Sequence, residues 1–160
     1  MSALTNPFIK LLSDPSFLEG REWSRTCYQA NEVVFPEGED SECLYVVLSG
    51  TVRIACDVEL SDTRVMKPGF CDLGENDFFG EMGLFSEQVR SASAMVIDGC
   101  ELACIDGDVM RRFMVDHPET GYTLMKHMFN AVNSRLRRSN ERLGSIFAWG
   151  IRAHGIDKEL

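Results

Sequence analysis

No segment of this chain approaches the roughly 18 consecutive apolar residues that a membrane-spanning helix requires. The N-terminal MSALTNPFIKLL likewise has no charged stretch followed by a sustained apolar run. A soluble, cytoplasmic protein with no membrane partner is expected. Histidine is scarce, and His117, His127 and His154 all fall late in the sequence, past the region read below as β structure. A metalloenzyme on a small β-barrel needs clustered His and Glu ligands on its strands, so no metal is expected. None of the six cysteines, at 27, 43, 56, 71, 100 and 104, forms a C-x-x-C pair, which weakens zinc and dithiol-motif readings. They sit in or beside apolar runs and are expected to be buried, reduced thiols. An iron–sulfur or haem sensor would need a cysteine cluster or an axial ligand near the N-terminus, where Cys27 stands alone. There is no low-complexity stretch and no linker rich in Pro, Gly or Ser. With 44% hydrophobic residues, 160 residues suffice for one well-cored domain plus an appended helix.

Positive charge is also in short supply, and unevenly so. Residues 1–120 carry 9 basic and 22 acidic side chains, whereas 121–160 carry 7 and 3. The acidic part repels nucleic acid. The one concentrated basic group is Arg135, Arg137, Arg138 and Arg142 on a helical pattern, which the solvated flanks of a helix explain as readily as a phosphate-tracking face. No DNA partner is expected.

What the sequence does contain is a change of hydrophobic period at about Asp106. Before it lie short alternating runs, with Leu44, Val46 and Leu48 on one face and Tyr45 and Val47 on the other, then Val52 and Ile54 opposite Thr51 and Arg53. Ser49-Gly50 between them reads as a tight hairpin turn. Further strands are expected at 32–35, 64–66, 71–73, 92–97 and 101–105, separated by EGED, KPG, GEND and DG. The pattern predicts a mainly β fold with flanking helices, an antiparallel β jelly-roll barrel over 21–106 preceded by a helical segment within 1–20. Residues 107–160 read as C-terminal helices, with a short one at 108–115 and a long one opened by Asp116 and Glu119 as a capping box, Pro118 in its first turn. From Phe129 a stripe recurs at spacings of three and four: Phe129, Val132, Leu136, Ser139, Leu143, Ile146, Gly150. It serves either to pack one helix on the barrel or to pair two helices of a homodimer, and its length favours the pair. Ser139 interrupts the stripe and either sets register or, with the amide of Asn140 beside it, reaches a polar ligand.

The stretch FGEMGLFSEQVRSASA, residues 79–94, carries the densest chemistry. Gly80 admits close backbone approach, and Glu81 is an acceptor for hydroxyls. Arg90 and Ser91 offer a charged fork, a hydroxyl and an N–H, a set suited to a phosphate diester. Small neighbours Ala92, Ser93 and Ala94 leave room beside them. A mutual surface pair between Glu81 and Arg90 accounts for the same residues without a ligand.

On these residues the chain resembles the cyclic-nucleotide-binding domains of catabolite activator protein and of cyclic-nucleotide-dependent kinases and channels. The likeness runs through Ala30 to Glu39 (ANEVVFPEGE), Leu44 to Val52 (LYVVLSGTV), and the phosphate-binding cassette, Phe79-Gly80-Glu81 followed by Arg90-Ser91-Ala92. The usual proline before the cassette arginine is Val89 here. The resemblance implies that Glu81 accepts from a ribose 2′-hydroxyl, that Arg90 pairs with the cyclic phosphate and that Ser91 adds a phosphate contact. Gly80, Met82 and Ala92 complete the cassette set. Arg135 to Gly144 is similar to the family's long dimer helix, which places Ser139 and Asn140 on a pair that contacts adenine across a two-fold axis. The function implied is a non-enzymatic cyclic-nucleotide receptor, binding cAMP in preference to cGMP and signalling through its C-terminal helix to an unidentified protein partner. About ten residues follow Gly150, so no helix-turn-helix DNA reader is expected. An interaction module of the same fold with an empty or altered pocket stands as the alternative.

Overall fold

The computed structural model describes residues 6–40, 43–56, 58–61, 64–66, 69–85 and 89–153. Helix α1 (Pro7–Leu12) is followed by strands β1 (Trp23–Tyr28), β2 (Val33–Phe35), β3 (Cys43–Ala55), β4 (Val58–Ser61), β5 (Arg64–Met66), β6 (Gly69–Leu73) and β7 (Phe78–Phe79). A 3-10 turn (Glu81–Leu84), strand β8 (Ser93–Asp106) and helices α2 (Gly107–Asp116) and α3 (Pro118–Ala153) complete the chain. It divides into two compact units, Met1–Leu124 and Met125–Leu160.

The first unit is built on an antiparallel six-stranded sheet in the order β1-β8-β3-β6, with β2 also on β8 and β7 also on β3. β4 and β5 form a separate two-stranded ribbon. The two long strands change partners halfway: β8 carries β2 at Ala94 and Met95 and β1 from Cys100 to Ile105, while β3 carries β7 at Tyr45 and Val46 and β6 from Val52. This is the jelly-roll fold with flanking helices.

Ser49-Gly50 is not a hairpin turn. β3 runs straight through it, and both halves pair with β8 from Cys43 opposite Asp106 to Ala55 opposite Ser93. Three register shifts between Val47 and Val52 absorb the irregularity as a bulge, which bends the strand and increases its twist. Gly50 sits at φ 83°, and a Cβ there would lie 2.5 Å from the Gly99 carbonyl oxygen, so the glycine serves a bend in one strand rather than the link between two. Asp98-Gly99 is likewise internal to β8, which merges two expected strands into one of 14 residues. Both faces of β3 carry buried residues, Leu44, Val46 and Val47 before the bulge and Val52 and Ala55 after it.

One cluster of buried residues, Phe35, Val47, Val52, Leu73, Phe79, Ala94, Val96, Cys100 and Leu102, draws on β2, β3, β6, β7 and β8. The α1 side is tied down by aromatic contacts, Phe8 on Phe78 with centroids 4.8 Å apart and Phe17 edge-on to Phe113 of α2 at 5.0 Å. Trp23 on β1 donates from Nε1 to the Phe17 carbonyl at 3.2 Å. At the period change, Asp106 caps α2 by accepting from the Val109 N–H at 3.0 Å.

Two local expectations are corrected. Asp116 closes α2 and His117 separates it from α3, so Asp116 does not open the long helix. Of the six cysteines only Cys100 is buried; Cys27 is exposed and the other four are half-buried. Alternation explains this, since neighbouring strand residues face opposite sides and an apolar run does not bury every member. β1, β4 and β7 were not foreseen. β1, WSRTCY, is mostly exposed and polar, and β7 has only two residues, too short for a period to register.

In the second unit, the helical stripe is laid out as the spacing predicts, and its members are uncovered in the single chain. Phe129 is 65% exposed and Leu136 56%, with Val132, Leu143 and Ile146 also exposed. No described helix is long and apolar enough to cross a membrane.

Candidate functional site

Arg90 is 6% exposed although it carries a full charge. Its backbone is gripped by the turn after β2: the Arg90 N–H donates to the Glu39 carbonyl at 2.7 Å, and its own carbonyl accepts from Gly38 at 2.9 Å. The guanidinium lies flat over Phe35, 4.1 Å from the ring centroid, and near Tyr45 at 5.7 Å. Tyr45 in turn stacks on Phe79 with centroids 5.1 Å apart and planes at 11°. Nη2 donates to the Cys43 carbonyl at 2.8 Å and Nη1 to the Gly80 carbonyl at 3.3 Å. Nε is buried and makes no hydrogen bond.

Among the described residues no carboxylate is paired with Arg90, so the surface ion pair with Glu81 that its sequence permitted is not formed. A buried guanidinium costs several kcal/mol unless a counter-charge meets it. Two carbonyl dipoles and an aromatic face offset part of that cost and leave Nε without a hydrogen bond. A buried, unsatisfied guanidinium donor of this kind suits an oxyanion.

Gly80 links the fork to the cassette. It has φ 81°, and a Cβ there would stand 2.7 Å from Arg90 Nη1 and 2.8 Å from the Cys43 carbonyl oxygen, so only glycine leaves the fork its place. Glu81 follows at the head of the 3-10 turn and is 8% exposed. Ser91 is exposed, with its hydroxyl 3.5 Å from the thioether of the exposed Met82. Ala92 is half-buried, and buried Ser93 accepts from the Glu37 N–H at 2.9 Å, holding the loop against the turn after β2. Gly80 and Arg90 therefore touch, as do Met82 and Ser91. Ser139 and Asn140 are exposed on α3 in the second unit.

The floor of the site was not read from sequence. Phe35, Tyr45, Glu39 and the Cys43 carbonyl all hold Arg90, and Tyr45 had a visible signal: it alternates away from Leu44 and Val46, onto the face that Arg90 covers. Half-buried Cys43 and Cys104 lie beside this floor. Cys104 is drawn down to about 7 by a hydrogen bond with the Cys43 thiol, assisted by the Tyr45 hydroxyl and the Arg90 charge and opposed by burial and Asp106. Cys43 moves the other way, chiefly through the same hydrogen bond and then burial. Burial holds the Tyr45 hydroxyl above its ordinary range. Among the described residues no group of three or more His, Cys, Asp or Glu could hold a metal ion.

Comparison with known proteins places this geometry. Residues 25–117 match the family model described as the cyclic nucleotide-binding domain. A cAMP-activated global transcriptional regulator of Pseudomonas aeruginosa, Vfr, is 34% identical over 126 residues, 76% of this chain and 55% of that protein. A CRP-like cAMP-activated global transcriptional regulator of Mycobacterium tuberculosis is 29% identical over 119 residues, 74% of this chain and 50% of that protein. The chain thus spans about half the length of these relatives. The crystal structure of Thermus thermophilus catabolite activator protein superposes with a TM-score of 0.63 at 26% identity, over 78% of this chain and 55% of that one.

Proposed function

The chain belongs to the cyclic nucleotide-binding domain family, and from that premise we propose that it is a receptor for a cyclic mononucleotide, cAMP by preference, acting as a regulator rather than an enzyme. The carrying observation is the buried guanidinium of Arg90, seated on Phe35 with Nε unpaired and, among the described residues, no carboxylate beside it. Such a group is poised for one anion.

In this reading Arg90 pairs with the cyclic phosphate, and the Ser91 hydroxyl turns from the Met82 sulfur to add a contact. Buried Glu81 accepts from the ribose 2′-hydroxyl. The carbonyls of Cys43 and Gly80 keep the fork oriented, which cuts the ordering cost that binding must meet. α3 of two copies pairs along the exposed stripe, and Ser139 with Asn140 reads the adenine edge, an acceptor-and-donor match that guanine reverses. Occupancy is then passed through α3 to a protein partner.

The support for cAMP is the description of the two regulators above as cAMP-activated. The support for an altered pocket is that two of the three guanidinium nitrogens already rest on carbonyls. Calorimetric titration with cAMP, cGMP and inorganic phosphate separates the two. A receptor takes up cAMP more tightly than cGMP by one to two hydrogen bonds, on the order of 1–3 kcal/mol, and inorganic phosphate far more weakly. No heat with either cyclic nucleotide sinks the receptor reading and leaves the interaction module.

A further inference from the structure

The strands that hold Arg90 also bring two thiols together. β3 and β8 pair so that Tyr45 lies opposite Cys104 and Cys43 opposite Asp106. Cys43 and Cys104 are therefore diagonal neighbours on one face of the sheet. Tyr45 shares that face, and each of the two thiols is the largest influence on the other's acidity. Both are half-buried, open enough for a small reagent, whereas Cys100 is closed off. The carbonyl of Cys43 is itself the acceptor for Arg90 Nη2. The cassette uses neither sulfur.

We infer that Cys43 and Cys104 are a redox-modifiable dithiol, with Cys104 as the attacking sulfur, Cys43 as the resolving sulfur and a peroxide as the oxidant. The assignment of roles follows from the surroundings. A thiolate at Cys104 accepts from the Cys43 thiol and the Tyr45 hydroxyl and faces the Arg90 charge, with Asp106 as the one opposing carboxylate. An accessible thiolate beside a second thiol is the arrangement that reacts with peroxide and then resolves.

The Cys104 thiolate attacks one peroxide oxygen, the O–O bond breaks, and the departing oxygen takes a proton to leave as water or an alcohol. Cys104 is then a sulfenic acid. The Cys43 sulfur attacks the Cys104 sulfur, hydroxide leaves with the Cys43 proton as water, and the disulfide forms. Two thiols have been oxidised and one peroxide reduced. Diagonal Cα atoms lie about 7–8 Å apart in a regular sheet, beyond the roughly 7 Å that a disulfide bridges without backbone movement. Closing the bond therefore requires the paired strands β3 and β8 to shift against each other beneath Arg90. The resulting cross-link is strained and correspondingly easy to reduce. This inference does not depend on what the pocket binds.

The test uses the reduced chain treated with hydrogen peroxide and then alkylated, digested and analysed by mass spectrometry. The expected result is a Cys43–Cys104 linked peptide from a species of monomer mass on a non-reducing gel, reversed by dithiothreitol, with Cys27, Cys56, Cys71 and Cys100 still alkylated. Site-resolved iodoacetamide labelling of the untreated chain needs no variant. Cys104 should label half-maximally near pH 7. In Cys43→Ser, peroxide should leave Cys104 as a dimedone-reactive sulfenic acid. Absence of the linked peptide, or its recovery only from a species of twice the mass, overturns the inference. So does labelling of Cys104 at neutral pH no faster than that of Cys27.

Discussion

Replacing Arg90 by methionine keeps roughly the same bulk over Phe35 while deleting the charge, and its effects on folding and on binding should diverge. Two charge-assisted bonds, to the Cys43 and Gly80 carbonyls, are lost at roughly 1.5–3 kcal/mol each. The stacking of the guanidinium on Phe35 at 4.1 Å goes too, at roughly 0.5–2 kcal/mol. Against this, the desolvation of an ion that is only 6% exposed and meets no carboxylate among the described residues is recovered, a matter of several kcal/mol. These terms nearly cancel, so stability should change by no more than about 2 kcal/mol in either direction. Binding has no such compensation. A phosphate that loses its desolvated charge partner gives up about 2–5 kcal/mol, a fall of roughly 30-fold to several thousand-fold in affinity. Urea denaturation and cAMP calorimetry on the same preparation measure both. Unchanged affinity in a folded variant refutes the anion-anchor reasoning. A loss of stability above about 4 kcal/mol shows Arg90 to be a structural post instead.

Gly50→Ala tests the bulge: left-handed backbone costs about 1–2 kcal/mol for alanine, and the new methyl meets the Gly99 carbonyl and Cys100 at 2.5 Å. A fall in Tm on the order of 10 °C is expected, against a much smaller one for Gly20→Ala, which has the same sign of φ but open space around it; equal shifts would show that the packing of β3 on β8 is not what Gly50 serves. Leu136→Glu tests the helix pair: because Leu136 is 56% exposed in the single chain, the substitution should leave each chain folded yet place two carboxylates in the seam of a dimer. Light scattering should then report a monomer, with cAMP affinity and the preference over cGMP both reduced; a monomer that keeps full affinity and selectivity places base recognition away from Ser139 and Asn140.

Several features were legible in the sequence because they are local. The switch from alternation to helical spacing at Asp106 marks where β8 ends and a capped α2 begins. The FGE and RSA segments hold Gly80 and Arg90, which the fold brings into contact, and the stripe from Phe129 to Ile146 lies exposed on α3. These depend on side-chain period and on residue chemistry at short range, which a chain carries before it folds. The misreadings share one cause. Ser49-Gly50 and Asp98-Gly99 look like turns because glycine permits φ above zero, but a turn and a bulge use the same backbone freedom, and only the partner strand decides between them. β3 and β8 pair with each other from Cys43 to Ala55, so Gly50 became a bend at φ 83° and Gly99 stayed within β8 with no positive φ. The thiols of Cys43 and Cys104 are 61 positions apart, and their meeting depends on the register of that same pairing. Sequence alone determined the β-then-helix order, the acidic first 120 residues and the arginine ahead of a run of small residues. Tertiary structure decided that this arginine is buried on Phe35 with Nε unbonded and no carboxylate among the described residues beside it, because desolvation and partner choice are set by what long-range pairing brings alongside, and no local period encodes that.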